Sequence, residues 1–359
     1  MGVPMPTRLE RLSPLLADAQ IDVLLVTGHD NRRYLSGFTG SAGALLVTRD
    51  GAWLIVDFRY WEQAARQATR CEVVRLPPMT RLESLLPGLV ATYGWRRLGV
   101  EADNLTVDSF DTLTQAFQEG SATELVKTTE LVEQLRQSKD AQELQAIQAA
   151  IDLTDAAMQH AAGLLRPGVS EAALAWEVES YLRTHGAEGL AFPTIVAFGP
   201  NSALPHHHSG ERQLQAADPI VIDMGARVDG YCADLTRSFC LAPDSSRYGE
   251  IYAIVLDALH TAEQRLHAGL TGQQADAIGR DVIGERGYGD FFGHSLGHSL
   301  GLAIHEPPAL SRLNEKPLPV GAIATIEPGI YIPEWGGIRI EDVVVLQERR
   351  ARILTGSPK

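Results

Sequence analysis

Two aspartates flank a strong turn signal in residues 219–241. Two β-rich runs in this segment surround Asp229-Gly230, a dipeptide typical of a two-residue hairpin loop. That loop places position 236 opposite Asp223 and makes Asp234 the diagonal neighbour of Asp223 on the same face, about 7–8 Å away. Asp223 stands in an otherwise apolar run, where an unpaired carboxylate would be costly, so it needs a cation or strong donors. We therefore expect two carboxylates to point from neighbouring strands into one space.

A second acidic pair occupies residues 324–346, again two β-rich runs around a loop, at residues 333–337. Glu327 and Glu341 are placed symmetrically about this loop and should lie roughly opposite each other across the hairpin. Arg339 projects on the same face as Glu341, because side chains alternate along a strand, and it could hold an acid in place. The segment adds two converging carboxylates to the first pair.

Each hairpin also allows an interpretation without a metal. In the first, Asp223 and Asp234 would form ion pairs with Arg227 and Arg237. In the second, an arginine and a glutamate would pair in an edge hairpin. These segments taken singly leave both interpretations open.

Three histidines lie between the hairpins, in GHSLGHSLGLAIHEPP at residues 293–308. One histidine there would usually be a hydrogen-bonded core residue, but His294, His298 and His305 together, next to two acidic hairpins, favour a site. Four carboxylates and an imidazole are mostly hard oxygen donors, which favour Mn²⁺ or Co²⁺ alongside Zn²⁺ and disfavour a thiolate zinc site. Four anions in one cavity balance two divalent ions better than one.

Composition excludes several classes of protein. The chain of 359 residues has 45 acidic and 31 basic side chains and a formal net charge of −14, which disfavours a generic nucleic-acid binder. Its apolar runs are far shorter than the ~20 residues that span a bilayer, so no membrane segment is expected. The N-terminal sequence lacks the pattern of a secretory signal, and we predict a cytoplasmic protein.

The elements that must position these residues form two predicted domains, 1–128 and 129–359. The first alternates β-rich runs with helix-period segments, as an α/β domain does. The second opens with a long helix, Ala141–Leu165, which stops at Pro167-Gly168, and a second helix, Glu171–Thr184, with Ser170 as its N-cap. The predicted strands of the first domain are Ile21–Val26, Ala44–Val47, Trp53–Val56, Cys71–Arg75 and Arg97–Val100, and its predicted helices are Phe58–Ala68, Arg81–Thr92 and Ser109–Gln118.

With these motifs in order, the chain resembles the proline-specific metallopeptidases of the pita-bread fold, the group of prolidases and Xaa-Pro aminopeptidases. The resemblance covers nearly the whole chain. It implies an α+β fold, in which a smaller creatinase-like α/β domain precedes a pita-bread catalytic domain. The matching strings are NSALPHHHSG, VIDMGARVDGYCADLTRSF, GHSLGHSLGLAIHE, TIEPGIYIPEWGGIRIED and LTGSPK in the catalytic domain, and RYLSGFTGS and VDFRYWEQA in the first domain.

The resemblance implies a site for two divalent metal ions, with Mn²⁺ as the predicted metal and Co²⁺ or Zn²⁺ as alternatives. Asp223 belongs to one ion, and Asp234 and Glu341 bridge both. His298 and Glu327 complete the second ion. A water or hydroxide that bridges two such ions has a lowered pKa and attacks a peptide carbonyl.

The same resemblance implies roles for the remaining site residues. Glu327 orients and deprotonates the water, while His206 and His305 lie beside the scissile bond as hydrogen-bond partners of the tetrahedral intermediate and the leaving nitrogen. His294 lines the proline side of the pocket. Arg339 braces a metal carboxylate and faces the substrate.

The implied reaction is hydrolysis of the Xaa-Pro bond of small peptides, and we predict dipeptides as substrates, with longer peptides carrying proline in second position as the alternative. Two departures from the family pattern bear on this. Ser299 follows His298 where glycine is frequent. The segment Glu306–Ala322 is short and offers only Arg312 to hold the carboxylate of a dipeptide.

Another cation could come from the N-terminal domain, where Arg32, Arg33 and Arg49 are predicted in or near loops. We expect a homodimer in which these loops of one subunit close the active site of the other. The alternative is that the three arginines are solvated loop charges.

Three other classes fit less well. A metal-free creatinase-type hydrolase would lack the five ligands that are present here, and a non-enzymatic scaffold would not need an intact Glu327 and histidine set. Methionine aminopeptidases lack this N-terminal domain and do not require proline after the cleaved bond.

Overall fold

The computed structural model describes residues 7–118, 122–242 and 246–359. The chain divides into two compact units, Met1–Arg136 and Gln137–Lys359. The division lies eight residues beyond the predicted domain boundary at residue 128. No helix among the described residues is long and apolar enough to cross a bilayer.

The N-terminal unit contains a six-stranded mixed sheet whose spatial order is β4-β3-β2-β1-β5-β6. Its strands are β1 (Val23–Val26), β2 (Ala44–Val47), β3 (Ala52–Val56), β4 (Glu72–Arg75), β5 (Arg97–Glu101) and β6 (Glu124–Thr128). Its helices are α1 (Arg8–Asp18), α2 (His29–Ser36), α3 (Trp61–Gln67), α4 (Leu82–Tyr93), α5 (Val107–Gln118) and α6 (Leu131–Arg136). The five predicted strands are all present within two residues of their predicted bounds. Helices α4 and α5 cover one face of the sheet through Leu86, Val90, Leu113 and Phe117.

The prediction that Asp30 to Arg33 lie in or near a loop is wrong, because these residues form part of α2. The segment is polar and lacks apolar periodicity, yet the terminal nitrogens of Arg32 and the amide nitrogen of Asn31 have partners inside the unit. The Arg32 guanidinium is 2% exposed and donates to the carbonyls of Gly40 and Gly43, each at 2.7 Å. Asn31 donates to Glu101 at 2.7 Å. Internal partners thus replace the water that a loop would have used.

Two helical pairs and a set of small antiparallel sheets make up the catalytic unit. The helices are α7 (Ala141–Leu164), α8 (Glu171–Thr184), α9 (Ser246–Arg265) and α10 (Gly272–Glu285). The strands are β7 (Gly189–Leu190), β8 (Ile195–Phe198), β9 (Ile220–Met224), β10 (Ala226–Val228), β11 (Tyr231–Cys232), β12 (Leu235–Phe239), β13 (Gly297–Ser299), β14 (Glu306–Leu310), β15 (Ile323–Ile326), β16 (Gly329–Ile332), β17 (Gly336–Arg339), β18 (Asp342–Leu346) and β19 (Ala351–Ile353).

Helices α7 and α8 begin where the sequence predicts. Asp140 caps α7 and forms a capping box with Glu143, and the Ser170 side chain accepts from the amide of Ala173 at the start of α8. These caps satisfy amide groups that have no partner inside the helix.

The first acidic hairpin has the predicted register. Asp223 of β9 pairs with Thr236 of β12, and the turn residues Asp229 and Gly230 have φ values of 48° and 77°, as this tight hairpin turn requires. Ile220, Ile222 and Met224 pack into the core under α7 and α8. The alternation of strand side chains therefore turns Asp223 to the opposite face.

The second hairpin also keeps the predicted symmetric register, with Ile326 paired to Asp342 and Gly329 paired to Arg339. Ala324, Ile326, Ile338 and Ile340 pack into the core cluster that includes α9 and α10. Because Glu327 and Glu341 lie between the paired strands at matching positions, both hairpins direct acidic side chains away from their helical cores.

Candidate metal centre and cleft

Three carboxylates from the two hairpins meet in the catalytic unit. Asp223, Asp234 and Glu341 are buried, and one oxygen of each lies within 4.8 Å of the others. Asp223 Oδ1 and Glu341 Oε1 are buried without a hydrogen-bond partner. Buried acceptors are normally satisfied, so these two oxygens have the geometry and the chemistry of metal ligands. The residues present therefore fit a divalent metal.

Burial and repulsion by neighbouring carboxylates make Asp234 and Glu341 hard to ionise in the absence of a cation. Burial raises the pKa of Asp234 well above its usual range, and the charges of Glu341, Asp223 and Glu327 raise it further. Burial and then Glu327 and Asp223 raise the pKa of Glu341 in the same direction. A divalent ion would reverse this balance by favouring the charged forms.

His298 and Glu327 lie against this cluster. His298 Nε2 is 3.4 Å from Glu327 Oε1 and 3.6 Å from Asp234 Oδ2. Its Nδ1 lies 3.1 Å from the Ser299 carbonyl, which can only accept, so Nδ1 carries the proton and Nε2 offers a lone pair. Burial lowers the pKa of His298, which favours this neutral form. The five residues predicted as ligands are thus brought together.

Arg339 contacts the acidic cluster and fixes two of its side chains by hydrogen bonds, one directly and one through Thr236. Its Nη2 donates to Asp223 Oδ2 at 2.7 Å, and its Nε donates to Thr236 Oγ1 at 3.0 Å. Thr236 in turn donates to Glu341 Oε2 at 2.9 Å. Thr236, at the position that the hairpin turn predicts opposite Asp223, thus links Arg339 to Glu341, and the turn pattern carries no signal for this link.

The interpretation in which Arg237 neutralises the aspartates of the first hairpin is wrong. Arg237 is 1% exposed and instead pairs with Asp342 at 3.0 Å. It also donates to the carbonyls of Ser357 and Pro358 near the end of the chain, at 2.6 and 2.9 Å. Asp342 and this terminal segment therefore use the charge that the sequence seemed to offer to Asp223.

His294 is held by groups that were not predicted. Its Nδ1 donates to the Ser295 carbonyl at 2.8 Å, and its Nε2 accepts from the Tyr331 hydroxyl at 2.8 Å. Arg280 of α10 donates to the His294 carbonyl at 2.7 Å while it pairs with Asp276. Tyr331 is four residues after Glu327, so strand alternation places both side chains on the same face. This alternation could have predicted that Tyr331 faces the site.

Glu171 holds the loop that carries His206. Its completely buried carboxylate accepts from the amides of Phe198 and Gly210, at 2.8 and 3.0 Å, and from the Asn201 side chain at 2.9 Å. It also lies 2.8 Å from His207 Nε2. His207 therefore turns inward, whereas the neighbouring His206 is exposed.

The predicted site residues of the catalytic unit line one cleft of about 1160 Å³, with the exception of Arg312. The cleft contains the five predicted ligands together with His206, His294, His305 and Arg339. The His305 ring packs edge-on against His298, with 4.3 Å between centroids. The cleft continues along α8, where Trp176 and Arg183 form part of its wall.

The arginines predicted to bind a substrate carboxylate have other positions. Arg312 is exposed in a turn after β14 and does not line the cleft. Arg33 lies on α2 of the N-terminal unit, and Arg49 is exposed in the turn between β2 and β3. Arg32 is buried by its own unit and bonded to backbone carbonyls, which leaves its guanidinium committed to the fold.

Comparisons with known proteins give a consistent family. The family model described as Metallopeptidase family M24 matches residues 145–348, and the model described as Creatinase/Prolidase N-terminal domain matches residues 8–138. An Xaa-Pro dipeptidase of Pyrococcus furiosus is 34% identical to this chain, and the alignment covers 98% of each of the two chains.

Two solved structures are similar over 98% of both chains. The Xaa-Pro dipeptidase from Bacillus anthracis has a TM-score of 0.94 and 40% identity, and the X-Pro aminopeptidase from Thermotoga maritima has a TM-score of 0.89 and 37% identity. The expected α+β fold, a creatinase-like domain before a pita-bread catalytic domain, is confirmed. This chain belongs to metallopeptidase family M24 and is a hydrolase of that family.

Proposed function

We propose that this protein is a prolidase that hydrolyses Xaa-Pro dipeptides with two divalent metal ions. Mn²⁺ is the metal that we propose. The proposal is supported above all by the buried carboxylate cluster, in which Asp223 and Glu341 each keep an oxygen without a hydrogen-bond partner. The similar Xaa-Pro dipeptidases support the choice of substrate. The cytoplasmic location stays a prediction.

Metal ions held by Asp223, Asp234, His298, Glu327 and Glu341 would supply Lewis acidity and lower the pKa of a bound water. Glu327 would act as the general base that takes the proton from the attacking water. It lines the cleft, with its Oε1 3.4 Å from His298 Nε2. Arg339 holds Asp223 in place through their 2.7 Å contact.

The histidines of the cleft act on the substrate. Burial lowers the pKa of His305, so its neutral ring can donate one N–H to the developing oxyanion or to the leaving nitrogen. His206, on the loop that Glu171 anchors, offers a second donor. His294 has both ring nitrogens occupied by Ser295 and Tyr331, and it therefore presents an uncharged ring to the proline. Proline lacks an N–H, so an apolar contact of this kind can select it by shape.

A dipeptidase must also bind a free carboxylate. We propose a homodimer in which the N-terminal unit of the second subunit supplies this cation, from Arg33 or Arg49. Arg32 is excluded because its guanidinium is buried against the carbonyls of Gly40 and Gly43.

Cleavage of longer peptides is the second candidate. The cleft, at about 1160 Å³, is larger than the roughly 300–1,000 Å³ typical of pockets for drug-sized ligands, and a dipeptide is smaller than such ligands. The similarity to an X-Pro aminopeptidase points the same way.

Hydrolysis of Leu-Pro and Met-Pro should be measured beside Leu-Pro-Pro and Leu-Ala, with Mn²⁺ and with EDTA. Metal-dependent cleavage of the two Xaa-Pro dipeptides alone is the expected result. Cleavage of Leu-Pro-Pro would establish the aminopeptidase. Equal cleavage of Leu-Ala would contradict proline specificity, and no metal-dependent cleavage of any peptide would contradict the proposed function.

A further inference from the structure

A buried polar cluster of Lys139, Ser299 and Glu306 lies behind the metal centre. Lys139 Nζ is 2.6 Å from Glu306 Oε1 and donates to Ser299 Oγ at 3.1 Å. The Lys139 and Glu306 side chains are only 1% and 4% exposed. Burial of a lysine and a glutamate costs solvation free energy, which only a close and well-oriented contact can offset. A buried pair of this kind therefore suggests a role beyond stability.

Each of the two acceptors directly follows a histidine of the site. Ser299 follows His298, and Glu306 follows His305, and the two acceptors are paired across β13 and β14 next to a register shift at His298. The Ser299 carbonyl accepts from His298 Nδ1, while the Ser299 hydroxyl accepts from Lys139. One lysine therefore contacts both strands at the point where their histidines enter the cleft.

Lys139 cannot reach the substrate. Within the described part of the chain, none of the three cluster residues lines the cleft, whereas His298 and His305 both do. The backbone amide of Lys139 is itself fixed by the Gly321 carbonyl at 3.0 Å, just before the N-cap of α7. The ammonium group thus belongs to a rigid point of the catalytic unit.

We infer that Lys139 is a positioning residue of the metal centre, which sets the orientation of His298 and His305 through Ser299 and Glu306. This inference rests on the proposed function, because it takes His298 as a metal ligand. Groups that orient a metal-binding histidine change metal affinity or activity by about 10–100-fold when they are replaced.

The affinity of the metal-free protein for Mn²⁺ should be measured by competition with a chelator, together with kcat and KM for Leu-Pro. Lys139→Met should weaken Mn²⁺ binding by about 10–100-fold. Ser299→Ala removes a single hydrogen bond and leaves the ion pair, and it should fold normally and weaken binding several-fold, with a lower kcat. Leu259→Ala is the control for a general loss of stability, because Leu259 of α9 packs into the hydrophobic core. It should leave the Mn²⁺ affinity unchanged.

The double variant Lys139→Met with Glu306→Gln separates positioning from charge balance. The double variant leaves no unpaired charge in the buried cluster, so its melting temperature should be higher than that of Lys139→Met. Its Mn²⁺ affinity should stay low, because the lysine that contacts both strands is still missing. Recovery of both, or unchanged affinity in Ser299→Ala, would overturn the inference while the wild-type protein still binds Mn²⁺ and cleaves Leu-Pro. Failure of the wild-type protein to bind Mn²⁺ would overturn the proposed function and this inference with it.

Discussion

Glu263 of α9 has a perturbed carboxyl group although it is not part of the metal centre. Lys359 Nζ lies 3.1 Å from Glu263 Oε1 and also contacts Asp342 Oδ2 at 2.5 Å. Burial raises the pKa of Glu263 to about 7, and the hydrogen bond that it shares with Asp342 raises it as well. The two carboxyl groups thus hold one proton between them around neutral pH.

We expect this proton to make stability depend on pH. The pKa of Glu263 is about 7 in the folded protein, against about 4.3 for an unperturbed glutamate. The stabilisation is fully present below the unfolded value and is lost as the pH rises through the folded one. Glu263→Gln keeps a neutral side chain at every pH. Its melting temperature, measured relative to that of the wild type, should therefore rise between pH 5 and pH 8. Each kcal/mol of stability that the wild type loses should appear as a difference of roughly 2–4 °C.

Thermal melts of both proteins across this range would test the expectation. Asp257→Asn, on the exposed side of the same helix, controls for the loss of one negative charge. A melting difference between Glu263→Gln and the wild type that stays constant with pH would contradict the shared proton.

The carboxylate of Glu171 is one of the groups that hold the loop from Leu204 to Gly210, beside the Ser209 side chain, which bonds to Val196 and Thr194. Glu171 stands at the first turn of α8 and bonds to the end of β8, to His207 and to Gly210. A helix terminus packed in the core is a rigid support, whereas the loop has no regular structure of its own. The contact between Glu171 and His207 therefore helps to place His206 in the cleft.

His207→Ala should lower kcat/KM by about 10–100-fold, since a displacement of about 1 Å in a catalytic group can cost 100-fold. It should also lower stability, because it removes a hydrogen bond to a charged group, worth about 1.5–3 kcal/mol. His207→Gln keeps an N–H that can reach Glu171 and should retain most of the activity. Equal activity losses in the two variants, measured with Leu-Pro, would argue against the anchoring role.

The two acidic hairpins are joined directly to each other in the catalytic unit. The Glu341 amide donates to the Thr236 carbonyl at 3.1 Å, and the Arg339 amide donates to Ser238 Oγ at 3.1 Å. Each hairpin is supported on its other face by its own helical pair. The carboxylates are thereby held close together by two supported hairpins.

Metal removal should therefore destabilise the catalytic unit. A free ion at 100 times its Kd stabilises the folded state by about 2.7 kcal/mol, which corresponds to roughly 5–10 °C for a unit of this size. We expect the melting temperature to rise by this amount with Mn²⁺ and to fall with EDTA. In EDTA, the variant Asp234→Asn with Glu341→Gln should melt above the wild type. Folding then no longer requires two buried carboxyl groups either to repel as anions or to be protonated through their raised pKa values. A melting temperature that does not respond to chelator would contradict the site.

Some features of this protein follow from short stretches of chain. The bounds of α7 and α8 follow from their caps, and the Asp229-Gly230 turn determines that Thr236 faces Asp223. These features depend on residues close in sequence, where backbone geometry and local hydrogen bonds act. The polar helix α2 escaped prediction because its stability comes from buried partners such as Glu101, far along the chain.

The residue types of the candidate metal centre and the register of each hairpin can be read from local sequence patterns. The pairing of charges depends on the packing of whole elements, because Arg237 lies beside Asp342 while Arg339 lies beside Asp223. The same packing also decided that Glu171 and Lys139 support the histidine segments. Such partners are separated by many residues, and their pairing depends on how whole elements pack, for which a local pattern carries no signal.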